Sequence, residues 1–281
     1  MRLFCGFAVC GLLLAQQSQN PSPMVEHTRP HPRLEKPAAD LPGRHEKLSA
    51  GTLFVPANIV GRKNLPLFVH FHGGGYVTEL AARKLGMAVI SVQTGSGSGT
   101  YAKQFSDKEL FGKMLREAAE KAGTSFGPIT LTAWSAGHGA VREIIAVPEY
   151  YSRIQSVLLI DGMHTGYEGA KPGPLESKLE RDHLEAFLTL AKDAVAGRKA
   201  FLVTHSEIFP GTFASTTETA DWLLHELGLT RKPVLKPGPM GTQQLSEVRQ
   251  GKFHLIGYAG NSAPDHVDQL HSIAEYLRWL R

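Results

Sequence analysis

Ser135 stands where a strand pattern ends and a helix pattern begins, in the stretch Pro128–Ala140, PITLTAWSAGHGA. Ile129–Trp134 is β-branched and aromatic, the composition of a buried strand, and Val141–Ala146 can continue as a helix. A serine at such a sharp strand-to-helix turn is the nucleophile-elbow arrangement. The turn needs small residues two positions to either side, and here they are Ala133 and Gly137, giving A-x-S-x-G. The chemistry open to such a serine is acyl transfer. Its hydroxyl is a weak nucleophile, so an imidazole must take its proton, and hydrogen-bond donors must meet the oxygen that becomes negative. Taken alone the stretch is equally a chance turn of small residues, because the motif is short.

A second glycine-rich turn lies upstream. Leu67–His72 (LFVHFH) reads as a buried strand and runs directly into Gly73, Gly74 and Gly75. Consecutive glycines let backbone N–H groups approach a ligand oxygen without side-chain obstruction. Gly73 and Gly74, with the N–H of Ala136 after the serine, are therefore candidate oxyanion donors, a contribution on the order of 3 kcal/mol per donor.

HFHGGGY, AWSAG and a late histidine ahead of a C-terminal helix together resemble the α/β-hydrolase superfamily, whose lipases and esterases carry an oxyanion loop of the H-G-G-G type. The resemblance runs from about His45 to Arg281. It implies a mainly parallel central sheet with helices on both faces, and a catalytic triad in the chain order serine, acid, histidine. The family's histidine lies between the last strand and the last helix, which selects His266 as the base. Two carboxylates compete for the acid. The family's commoner position, after the strand at Ala200–Thr204, offers only Glu207. Some members place the acid one strand earlier, and there Asp161 sits at a strand end. Asp161 is favoured, with Glu207 as the alternative. The resemblance implies an esterase acting through an acyl-enzyme on small-molecule or polymer esters. A peptidase, thioesterase or acyltransferase could use the same triad, and a binding protein that has lost catalysis is the rival from another class.

The elements that must position these residues alternate regularly. Strands are predicted at Gly51–Val55, Leu67–His72, Met87–Val92, Ile129–Trp134, Ser156–Ile160, Ala200–Thr204 and Lys252–Tyr258. Helices are predicted at Glu79–Leu85, Phe105–Ala122, Pro174–Ala196, Thr217–Leu227 and His266–Leu280. Strands alternating with helices imply an α/β fold around a mainly parallel sheet.

With 281 residues, 42% of them hydrophobic and 20% charged, the chain has ample material for one large α/β domain. The net charge of +4 is dispersed, with no Lys/Arg block carrying interleaved aromatics, which argues against a nucleic-acid partner. Residues 1–15 combine Met1-Arg2 with an apolar run ending in Ala15, the pattern of a cleaved signal peptide and too short to anchor in a bilayer. Export to the periplasm or the extracellular space is expected. Both cysteines, Cys5 and Cys10, lie in that segment, so the chain after it has no thiol chemistry. Residues 16–44 hold six prolines and read as an extended arm, with the folded domain at 45–281. No cofactor is implied. Thr94–Gly99 (TGSGSG) lacks the Gly-Lys-Ser/Thr ending of a phosphate loop, and reads as a loop at the crevice rim. His70 and His72 form H-x-H without a third ligand at metal spacing, so no metal is expected.

Overall fold

The computed structural model describes residues 40–169 and 178–280. The signal-peptide reading of residues 1–15, and the arm up to residue 39, lie outside the described residues. Ten strands form one sheet: β1 (Gly43–Lys47), β2 (Thr52–Pro56), β3 (Leu65–Phe71), β4 (Ala88–Val92), β5 (Phe126–Trp134), β6 (Ile154–Ile160), β7 (Ala200–His205), β8 (Lys232–Pro237), β9 (Gln243–Gln250) and β10 (Phe253–Tyr258). Their order across the sheet is β1-β2-β4-β3-β5-β6-β7-β10-β9-β8. The six central strands, β4 to β10 in that order, are parallel, and the two strands at each edge pair antiparallel.

Alternation along the central strands splits the core into two layers. Leu67, Val69 and Phe71 of β3 face one core, which takes in residues of α2 (Ser98–Phe105), α3 (Lys108–Ala122), α4 (His138–Ile145), α5 (Pro148–Arg153), α6 (Glu185–Val195) and α7 (Thr216–Leu227). Phe68 faces the other, with Val89, Leu158, Leu202 and Ile256, under α1 (Gly75–Leu85), α8 (Ala263–His271) and α9 (Ile273–Trp279). A strand buried on both faces is apolar at nearly every position, which is why these runs are near-continuous rather than alternating, and the few buried polar side chains in them, such as His70 and Thr132, pair with each other. The expected α/β architecture, a mainly parallel sheet with helices on both faces, is the one observed.

Several boundaries differ from the sequence reading. The predicted helix Phe105–Ala122 is α3, which begins at Lys108 because the Asp107 side chain accepts from the Glu109 N–H, while Phe105 is the last residue of α2, a helix absent from the sequence reading. The predicted helix from Pro174 has its first part outside the described residues, and α6 begins only at Glu185. Before it Leu179 forms a β-bridge with Tyr167, and Arg181–His183 is a single 3-10 turn. The terminal helix breaks at Ser272. The edge hairpin β8–β9 was not foreseen, since its residues are largely exposed and lack a hydrophobic run. Gly43 and Arg44, read as arm, are the first residues of β1.

Candidate active site

Three non-glycine residues at the carboxyl edge of the sheet have left-handed backbone, each directly after a parallel strand. They are His72 (φ 68°) after β3, Ser135 (φ 49°) after β5 and Asp161 (φ 42°) after β6. Such residues each cost on the order of 1–3 kcal/mol, and persist only where the surroundings over-determine them. At Ser135 two glycines do so. A Cβ on Gly137 would lie 2.0 Å from the Phe71 carbonyl oxygen, and one on Gly162 would lie 2.5 Å from the carbonyl oxygen of Ser135. The elbow thus sits so close to both neighbouring strands that only glycine fits at those positions. Ala133, the small residue on the other side, is fully buried.

His266 lies in the first turns of α8, after the capping box in which Ser262 and Asp265 exchange hydrogen bonds. Its Nδ1–H donates to Asp161 Oδ2 at 2.7 Å. The Asp161 carboxylate is almost fully buried and accepts three further bonds, from Ser206 N–H (2.9 Å) and Thr216 Oγ1 (2.7 Å) on Oδ1 and from Ser206 Oγ (2.7 Å) on Oδ2. Burial alone would raise its pKa. The charge of His266 outweighs that, with hydrogen bonds from His266, Thr216 and Ser206, and holds it well below the usual carboxylate range. Glu207, the alternative acid, is exposed, and no hydrogen bond joins its carboxylate to His266 among the described residues.

Trp134 bridges the elbow to the histidine. Its indole Nε1–H donates to the His266 carbonyl at 3.0 Å, and its ring lies 4.4 Å from the imidazole, centroid to centroid. On its other side it stacks on His72 at 5.2 Å. The buried-strand reading of Ile129–Trp134 does not disclose this role. Ser206 and Thr216 were also missed, although Ser206 directly follows a strand on the carboxyl edge, the signal that singled out Asp161.

The glycine turn is propped from below. His70, inside β3, donates from Nε2 to the His72 carbonyl and pairs its Nδ1 with Thr132 Oγ1 at 2.8 Å. His70 and His72 thus serve the turn itself, and among the described residues no group of three or more His, Cys, Asp or Glu could hold a metal ion. The assignment of Gly73 as an oxyanion donor needs correction. Its N–H donates to Gln93 Oε1 at 3.0 Å, since Gln93, just past β4, reaches across the turn. Gly74 N–H donates to no acceptor among the described residues, and a side chain at that position would meet open space.

Ser135 stands between two cavities. One, of about 240 Å³, is lined by Ser135, Asp161 and His266 together with His164, Thr216, Ile208, Pro210, Phe213 and Ala263. The other, of about 480 Å³, begins at Ser135 and Ala136 and runs past His138, His164 and Ser96–Gly99, so the second part of the glycine-serine stretch borders the crevice, with Ser98 and Gly99 as the first residues of α2 rather than loop.

No family model matches the sequence, and no curated protein is similar to it. Solved structures do match in fold. Acylaminoacyl peptidase from Pyrococcus horikoshii shares 14% identity, with 86% of this chain and 42% of that one covered and a TM-score of 0.51. Carboxyl esterase 2 from the mycorrhizal fungus Tuber melanosporum shares 15% identity over 89% of this chain and 90% of that one, with a TM-score of 0.49. A thermostable esterase shares 17% identity over 82% of this chain and 57% of that one, also with a TM-score of 0.49. The chain therefore spans well under two thirds of the length of two of these three.

Proposed function

We propose that this protein of the α/β-hydrolase fold is a serine hydrolase, a carboxylic ester hydrolase with Ser135 as nucleophile, His266 as base and Asp161 as the orienting acid. The observation that carries the reading is the bond from His266 Nδ1 to a buried, ionised Asp161, with Ser135 and His266 in the wall of one cavity. A proton fixed on Nδ1 leaves the lone pair on Nε2, the form that accepts the serine proton. Ser135 Oγ attacks the ester carbonyl, and the N–H groups of Ala136 and Gly74 receive the oxyanion. The imidazolium then protonates the departing alcohol, leaving an acyl-serine. Water, deprotonated by the same nitrogen, releases the acid. No metal or cofactor is called on.

The test is a fluorophosphonate probe, whose phosphorus the activated serine attacks with loss of fluoride. The protein is expected to take one label, Ser135→Ala to take none, and ester hydrolysis to vanish with the label. A folded protein that resists the probe overturns the reading and favours the catalytically silent alternative.

We also propose that the protein acts after export, on the strength of the apolar run at residues 1–15 and the absence of cysteine beyond it. Among the described residues no helix is long and apolar enough to cross a membrane. N-terminal sequencing of protein recovered outside the cytoplasm is expected to begin near Gln16. Recovery with Met1 intact would refute cleavage.

A further inference from the structure

The two cavities that meet at Ser135 share His164 and Phe213, and what the larger one adds to them points to a substrate. His266 lines only the smaller one. On the serine-hydrolase reading, the group leaving with the alcohol oxygen must lie on the histidine side, because His266 hands it the proton. The smaller cavity is then the alcohol side, where Ile208, Pro210, Phe213 and Ala263 stand beside Thr216 and His164. The larger cavity receives the acyl chain, and its wall adds the polar side chains of His138 and Thr165 to His164.

Two imidazoles, His138 buried and His164 half-buried, carry the polar contacts that matter there. His138 Nδ1 faces the Ser135 carbonyl at 2.9 Å, and His164 Nδ1 faces the Ala214 carbonyl at 3.0 Å. A nitrogen facing a carbonyl oxygen must carry the proton, so in the neutral ring Nε2 holds a lone pair. Burial disfavours a second proton on both rings, and His164 adds to the effect at His138, whose pKa falls to about 3. The ring centroids are 5.7 Å apart, and neither Nε2 has a hydrogen-bond partner among the described residues. The cavity wall therefore offers two adjacent acceptors, and Ser96 and Ser98 line the same cavity.

Two other ligand types are disfavoured. A carboxylate would meet two lone pairs, while Arg142, the cation in the wall, already commits Nε and Nη2 to Glu143 Oε1 at 3.1 and 3.0 Å. An ammonium would find no carboxylate among the residues lining the cavity. A hydroxyl can donate to an imidazole and accept from a serine. We propose that the substrate is an ester of a hydroxy acid, its acyl hydroxyl held by His138 and His164 beside Ser135. This rests on the serine-hydrolase reading above.

The experiment compares benzyl 3-hydroxybutanoate with benzyl 3-methylbutanoate, alike in shape and alcohol, on the wild-type protein and on His164→Leu, with fluorophosphonate labelling in parallel. Wild type is expected to favour the hydroxy ester by at least about tenfold in kcat/KM, since a site built to bond a hydroxyl rejects the analogue lacking it. In His164→Leu the ratio is expected to fall at least about fivefold towards one, half of the acceptor pair being gone. A wild-type ratio near or below one, in a protein that takes the label and hydrolyses both esters, overturns the hydroxy-acid inference and leaves the hydrolase reading standing. That measurement needs no variant to fold. A protein that takes no label and cleaves neither ester overturns both.

Discussion

Asp161→Asn is expected to lower kcat for ester hydrolysis by about 10³–10⁴-fold while the protein stays folded, and Glu207→Gln to change it by no more than about twofold. The size of the first effect follows from the surroundings of the carboxylate. All four bonds to its two oxygens come from donors: Ser206 N–H and Thr216 Oγ1 on one oxygen, Ser206 Oγ and His266 Nδ1 on the other. An asparagine must turn its NH₂ towards one of these pairs. The Ser206 backbone N–H cannot reverse its role, whereas a hydroxyl can rotate and an imidazole can change tautomer. The amide nitrogen therefore settles opposite His266 Nδ1 and forces the proton onto Nε2. Ser135 then faces a donor where it needs an acceptor, and the imidazolium loses its counter-charge. Steady-state kinetics on both variants, with circular dichroism to confirm folding, makes the comparison. A larger loss in Glu207→Gln would move the acid assignment to the exposed loop after β7.

What could be read from the sequence, and what could not, divides along a physical line. Buried parallel strands announce themselves because both faces must be apolar, so β3, β5, β6, β7 and β10 are legible to within a few residues. The serine turn is legible because Gly137 is sterically required against Phe71. Residues at strand ends on the carboxyl edge are legible as candidates, which is how Asp161 and Ser135 stand out, but their partners are not. Ser206, after the neighbouring strand β7, and Thr216, at the start of α7, reach Asp161 at sequence separations that no local pattern encodes. Gln93 is the sharper case. It lies 20 residues from Gly73 and engages the N–H that the glycine run seemed to leave open. The edge strands β8 and β9 left no trace in the apolar pattern because an exposed hairpin has little to bury. Histidines were the hardest to place, since one residue type serves as a prop at position 70, as a cavity wall at 138 and 164, and as the partner of Asp161 at 266. Only the groups facing each ring separate those roles.

Buried histidines also set the acid limit of the fold. Lowering the pH from 8 to 5 is expected to reduce the melting temperature by about 10–20 °C, reversibly, in a range where ordinary carboxylates stay ionised. Four buried imidazoles are held neutral. Burial is the largest cause at each, pushing His70 and His138 down to about 3 and His205 and His254 down to about 4. At His205 the Arg231 guanidinium adds to it, its Nη1 donating to Nε2 at 2.6 Å, and at His254 Arg249 does the same from 3.3 Å. Protonating either ring would set two cations face to face. The unfolded chain imposes no such restraint and takes up protons near 6.5. Between about 6.5 and 4 the unfolded state thus binds more protons than the native one, so stability rises with pH across that window. It is complete above 6.5 and is lost progressively as the pH falls towards the folded values. At pH 5 each group has forfeited about 2 kcal/mol, and the four together remove several kcal/mol from a total that for a domain is on the order of 5–15. Asp161 does not oppose this, because its own depressed pKa matters only below the ordinary carboxylate range, near pH 4 and under. Calorimetric scans at pH 8, 6.5 and 5 are the measurement. A melting temperature that holds constant from 8 to 5 would mean that these rings are not buried neutral in the folded protein. For His138 it would also remove the restraint that keeps its Nε2 lone pair available to the cavity beside Ser135.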